Sequence, residues 1–85
     1  MDYELRIVGE GYYSRYHVKC TDGVIEEVQI LSLDRFDAKH NTVLEKAILN
    51  SDQLTIYQLT YFLMTHLETM ADEGLNYRLK IEDLD

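Results

Sequence analysis

Between residues 54 and 75 the apolar positions recur at helical spacing. Ile56, Leu59, Leu63, Leu67 and Met70 fall on one stripe when the chain turns about 100° per residue, which predicts a helix over 56–73 with that stripe against a core. Thr55 and Gln58 mark its start as a capping box, the hydroxyl accepting from a first-turn amide while the Gln side chain reaches back to the N–H of the cap. Leu54 and Leu59 are placed to form the accompanying hydrophobic staple. Gly74 marks the stop, free to take the left-handed conformation, with Leu75 placed to pack back on Met70. The apolar arc is wider than one sheet face covers, because Phe62 and His66 flank the stripe on one side and Tyr57, Tyr61 and Met64 on the other. Burial of that excess against a second helix is the simpler outcome. The alternative is that Tyr57, Tyr61 and Met64 look outward to a partner, a role that suits Tyr and Met.

The first third of the chain alternates with period two instead. Tyr3, Leu5 and Ile7 against Asp2, Glu4 and Arg6 predict a half-buried strand, and 12–21 predicts a second, with Tyr12, Ser14, Tyr16, Val18 and Cys20 inward. A four-residue loop over 8–11 would set Ile7 opposite Tyr12 and Tyr3 opposite Tyr16, and would pair Glu4 with Arg15 and Asp2 with His17 on the outer face. Thr21, Asp22 and Gly23 predict a three-residue hairpin loop. That register sets Cys20 against Val24 and Tyr16 against Val28, and outside it sets His17 against Glu27 and Arg15 against Gln29. It also aims Glu26 into the core, a misfit that a β-bulge or an early strand end would relieve. The third strand, 24–33, is apolar on both faces near its end at Ile30, Leu31 and Leu33, which predicts a central position or cover on two sides.

Residues 34–41 are polar apart from Phe36 and Ala38, which suggests a loop with Phe36 as an anchor. Thr42 and Glu45 form a second capping-box pattern, opening a short helix over 43–49 with Leu44 and Ile48 as its core side. Past Gly74, the alternation of Leu75, Tyr77, Leu79 and Ile81 with Asn76, Arg78 and Lys80 predicts a fourth strand, followed by a frayed acidic tail over 82–85. The expected fold is α+β: one domain over 1–85, a four-stranded mainly antiparallel sheet in the order β-β-β-α-α-β, both helices on one face and the last strand beside the first, with an edge position beside the third as the alternative.

Charge narrows the choice of partner. The chain carries 16 acidic and 8 basic side chains in 85 residues, net −8, and the excess is spread over both halves. Such a field opposes phosphate backbones and anionic membranes and favours partners with basic surfaces. The single Cys20 forms no internal disulfide. The start of the sequence lacks the pattern of a signal peptide, and no apolar run approaches the ~20 residues of a membrane span, so a cytoplasmic location is expected.

Motifs for chemistry are sparse. His17 and Cys20 have H-x-x-C spacing, but three residues apart on a strand they face opposite ways and share no metal. Neither His40, in the loop, nor His66, on the helix flank, has a second Cys to join. No phosphate loop, dinucleotide fingerprint or nucleophile motif occurs, so no catalytic, cofactor or metal site is expected. Two surfaces remain. Arg6, Tyr13, Arg15, His17 and Lys19 on the outer sheet face resemble a sparse nucleic-acid platform, opposed by Asp2, Glu4 and Glu27 across the strands. Glu68, Asp72 and Glu73 gather towards the end of the main helix, Asp72 and Glu73 against its dipole at a cost of ~0.3–1 kcal/mol each. The expected function is therefore non-enzymatic: a small regulator or inhibitor that binds another protein through Tyr57, Tyr61, Met64, Glu68, Asp72 and Glu73, and that could compete with nucleic acid for a basic groove. The second reading is a homodimer closed by the same helix face, and the third a nucleic-acid binder using the outer sheet face.

Overall fold

The structure is a computed structural model describing residues 1–35 and 41–85. The alternating segments form β1 (Asp2–Gly9), β2 (Tyr12–Thr21) and β3 (Val24–Arg35), followed by α1 (Asn41–Leu49), α2 (Ile56–Asp72) and β4 (Arg78–Asp83). The strands make one antiparallel sheet in the order β3-β2-β1-β4, so β4 lies beside β1 and the fold is the expected α+β arrangement. The inward positions Leu5, Ile7, Tyr16, Val18 and Ile25 are buried against Leu44 and Ile48 of α1 and Leu59, Leu63 and Met70 of α2.

The first hairpin is tighter than expected. Its loop is only Glu10 and Gly11, with Gly11 at φ 71°, and Gly9 pairs with Tyr12. This slides the register by two residues, so Ile7 meets Ser14 and Tyr3 meets Val18. A shift of two leaves every side chain on its own face, and so the alternation could not distinguish the two registers. Both expected charge pairs still form as diagonals: Arg15 Nη2 donates to Glu4 Oε1 at 3.0 Å, and His17 Nε2 lies 2.8 Å from Asp2 Oδ2.

The second hairpin turns through Asp22 and Gly23 alone, both at positive φ (54° and 79°), the Asp-Gly pattern of a tight primed turn. Thr21 therefore pairs with Val24, and the register then shifts twice. The first shift leaves Glu26 unpaired between Ile25 and Glu27, and it points out with its carboxylate 4.0 Å from Lys19 Nζ. A bulge thus resolves the Glu26 misfit and brings Ile25, not Val24, into the core. The second shift leaves Leu31 unpaired. Contrary to expectation β3 is an edge strand, and Ile30, Leu31 and Leu33 are exposed. Their two-sided apolar pattern comes from a bulge at the sheet margin and not from burial.

Helix α2 is capped as read. Gln58 N–H donates to Thr55 Oγ1 at 3.1 Å, and Thr55 N–H to Gln58 Oε1 at 2.9 Å. At its end Gly74, at φ 86°, donates to the Ala71 carbonyl and Leu75 N–H to that of Met70, the two bonds of a Schellman motif. Helix α1 starts earlier than predicted, at Asn41, so Thr42 lies within the helix and is not its N-cap. Glu45 is buried and accepts from the Tyr12 hydroxyl at 3.2 Å. Phe36, expected as an anchor, and His40 lie outside the described residues.

The linker into α2 covers part of the β3 edge. Ile25 N–H donates to the Leu54 carbonyl, Gln53 N–H to that of Ile25, and Val24 bridges to Thr55. The chain end, expected to fray from Glu82, continues the sheet instead. Glu82 and Asp83 belong to β4, Leu84 N–H donates to the Asp2 carbonyl at 2.9 Å, and Asp85 takes an amide bond from Asp2.

Candidate interaction site

The stripe Ile56, Leu59, Leu63, Leu67 and Met70 buries the inward side of α2, which leaves two flanks. Helix α1 packs towards β3, and α2 lies towards β4. On one flank the rings of Phe62 and His66 stack in parallel with centroids 6.3 Å apart. The other flank faces β4 across a groove of about 480 Å³. Thr60, Met64, Leu67, Glu68 and Ala71 form its wall, and Tyr77, Leu79 and Ile81 form its floor. The groove exists because two helices do not span four strands: the inward face of β4 stays half-exposed.

Tyr57, Tyr61 and Met64 extend this apolar wall outwards, 83%, 75% and 53% exposed, around a shallow hollow with Gln58 and Thr60. The expected burial against a second helix does not occur, because α1 packs on the β3 side. Glu68 stands in the groove wall and Asp72 in the last turn of α2, while Glu73 is the C-cap and lines neither hollow. From Ala47 to Tyr77 the chain contains no Lys or Arg and four acidic side chains, Asp52, Glu68, Asp72 and Glu73. The groove offers little for chemistry. The Thr60 hydroxyl donates to the Ile56 carbonyl at 2.7 Å, and Glu68 is the one carboxylate in the lining among the described residues. Such a lining suits apolar contact with an acidic rim.

The outer sheet face is organised around Glu4, which accepts from Arg15 and from Arg6. These bonds, those from Arg15 first, hold its carboxyl below the usual carboxylate range and raise both guanidinium groups. Arg6 also approaches Glu82 at 3.8 Å, and His17 is joined to Asp2. The cations of the sheet platform are thus largely committed to carboxylates. His17 and Cys20 stand on opposite faces as their spacing requires, and burial pushes the Cys20 thiol up. Among the described residues no three His, Cys, Asp or Glu side chains gather to hold a metal, and no helix is long and apolar enough to cross a membrane.

Sequence reasoning missed the floor of the site. The alternation of Leu79 and Ile81 identified a strand, yet their role depends on β4 lying at the sheet edge beyond the reach of α2, which no local pattern states. The only local hint was the width of the α2 arc. No family model matches the chain, and searches of curated proteins and of solved structures found no match.

Proposed function

We propose that the chain is a protein-contact module, a small regulator or inhibitor acting in the cytoplasm by binding and not by catalysis. Its occupant is a basic, apolar segment of another protein, seated in the groove between α2 and β4. One observation carries this reading: an apolar groove of about 480 Å³ lies beside exposed Tyr57, Tyr61 and Met64, in a segment of helix and loop with four carboxylates and no Lys or Arg. Exposed aromatic and Met side chains supply adaptable contact area, and the carboxylates select a cationic flank and speed its approach. The same acidic field lets the chain displace nucleic acid from a basic groove on its target.

The test is a titration of a labelled lysine-rich amphipathic peptide followed by anisotropy. Tyr61→Ser with Met64→Ser is expected to weaken binding at least tenfold, about 1.4 kcal/mol, and Asp72→Lys with Glu73→Lys to abolish it, both with the helical circular dichroism unchanged. Equal affinity for wild type and both variants would overturn the reading.

A further inference from the structure

The groove is open on the side where β4 ends the sheet, and that edge carries its own information. At the start of β1 the carbonyl of the preceding Met1 accepts from Cys20 and that of Asp2 from Leu84, so even-numbered residues of β1 bond towards β4. In an antiparallel pair such bonds alternate. Leu79, Ile81 and Asp83 stand opposite Ile7, Leu5 and Tyr3, and their N–H and C=O groups therefore point to the open edge. The opposite edge is protected, because β3 is bulged twice and bridged at its start by residues 53–55. β4 keeps one register with β1 throughout and has neither a bulge nor a Pro. Edges left in that state invite another strand.

The charges of β4 choose which strand. Arg78 and Lys80 come first and Glu82 last on the outer face, so the complementary order is the same sequence run backwards. The geometry points to a second copy of this chain, paired antiparallel through β4 with Ile81 on the two-fold axis. The register follows by elimination, since each axis must keep the two faces apart. An axis at Lys80 forms two Arg78–Glu82 pairs, but it sets Lys80 against its own copy and leaves Asp83 opposite Tyr77, outside the strand; an axis at Glu82 sets carboxylate against carboxylate, and an axis at Leu79 sets Arg78 against Lys80. With Ile81 on the axis, Lys80 meets Glu82 of the second copy twice, Ile81 meets Ile81 on the groove side, and the edge groups of Leu79, Ile81 and Asp83 all find partners. Its mismatches, each repeated by the axis, are Leu79 beside Asp83 of the second copy and Arg78 beside its Leu84.

This inference rests on the α2–β4 side being a contact face, and it completes that site. The two-fold axis brings both grooves together over a continuous floor of two β4 strands, with the α2 helices antiparallel as facing walls. Met64 and Tyr61 of each copy then look across one cleft that neither copy forms alone.

The test is the solution mass of the whole chain by light scattering over a concentration series. Wild type is expected at twice 10.0 kDa. Lys80→Glu alone and Glu82→Lys alone are each expected to weaken the dimer at least tenfold, the first by facing two carboxylates and the second by facing two ammonium groups, and the double exchange is expected to restore it. Circular dichroism verifies that each single variant is folded. A wild-type monomer throughout the series, or a double variant no more dimeric than the single ones, overturns the pairing. The peptide titration separates the two claims: a monomer that binds the peptide through Tyr61 and Met64 defeats the dimer alone, whereas a dimer indifferent to the peptide defeats the foreign partner alone.

Discussion

The Tyr77 ring occupies the space where a side chain on Gly9 would stand, and the same ring stacks on Tyr12 with centroids 5.3 Å apart. Gly9 pairs with Tyr12 across the first hairpin, so the glycine, the two tyrosines and the Tyr12–Glu45 hydrogen bond tie the start of β2 to α1 and to the floor of the groove. A Cβ at Gly9 has to displace a ring held by its neighbour. Gly9→Ala is therefore expected to cost about 1–3 kcal/mol in urea unfolding, as overpacking does. In the Tyr77→Ala background the same change is expected to cost much less, and additive effects would contradict the contact.

Tyr12→Phe removes the donor to Glu45 and leaves that buried carboxylate with one bond fewer. A loss of about 1–3 kcal/mol is expected from the urea midpoint. Burial holds the Tyr12 hydroxyl well above the usual tyrosine range, so no phenolate absorbance from Tyr12 is expected until the fold itself opens in base.

Neighbouring positions on α2 are expected to respond oppositely. Leu63 is fully buried and Leu63→Ala should cost about 2–5 kcal/mol. Tyr61→Ala and Met64→Ala, at exposed sites, should stay within about 0.5 kcal/mol of wild type. Thermal unfolding of the three variants at one protein concentration checks this, and a large loss at Tyr61 would mean that its ring is internal.

Glu4 sets an acid limit on stability. Its folded carboxyl titrates below the unfolded value because it accepts from Arg15 and Arg6, so its contribution is complete above the unfolded pKa and is lost as pH falls through the folded one. Unfolding midpoints measured from neutral pH downwards should decline below about 4.3, the ordinary Glu value. Glu4→Gln should flatten that decline and leave the variant less stable than wild type at neutral pH. An equally steep decline in Glu4→Gln would assign the acid sensitivity elsewhere.

Features written within a few residues of each other were the legible ones. Thr55 with Gln58 and the Gly74 stop bracketed α2 to within a residue, because caps are local chemistry. The alternation assigned side chains to faces correctly through Cys20, but a register shift of two preserves every face, so Glu4 and Arg15 found each other diagonally from a pairing two residues away from the expected one. Glu26 announced its bulge as a contradiction in the pattern. Leu31 gave no such warning, since an apolar residue in a bulge resembles one in a buried strand, and for that reason an edge strand read as a central one. The groove was the least legible feature. Leu79, Ile81 and Met64 are far apart in sequence, and their juxtaposition depends on which strand the last one joins and on how far two helices reach across four strands.

The central claim is that the α2–β4 side is the contact face. The most direct measurement is a backbone-amide shift map of the chain titrated with the lysine-rich amphipathic peptide. Perturbations are expected to converge on Thr60, Met64, Leu67, Leu79 and Ile81. Shifts confined to Arg6, Arg15 and His17 on the outer sheet face, or none at saturating peptide, would contradict it.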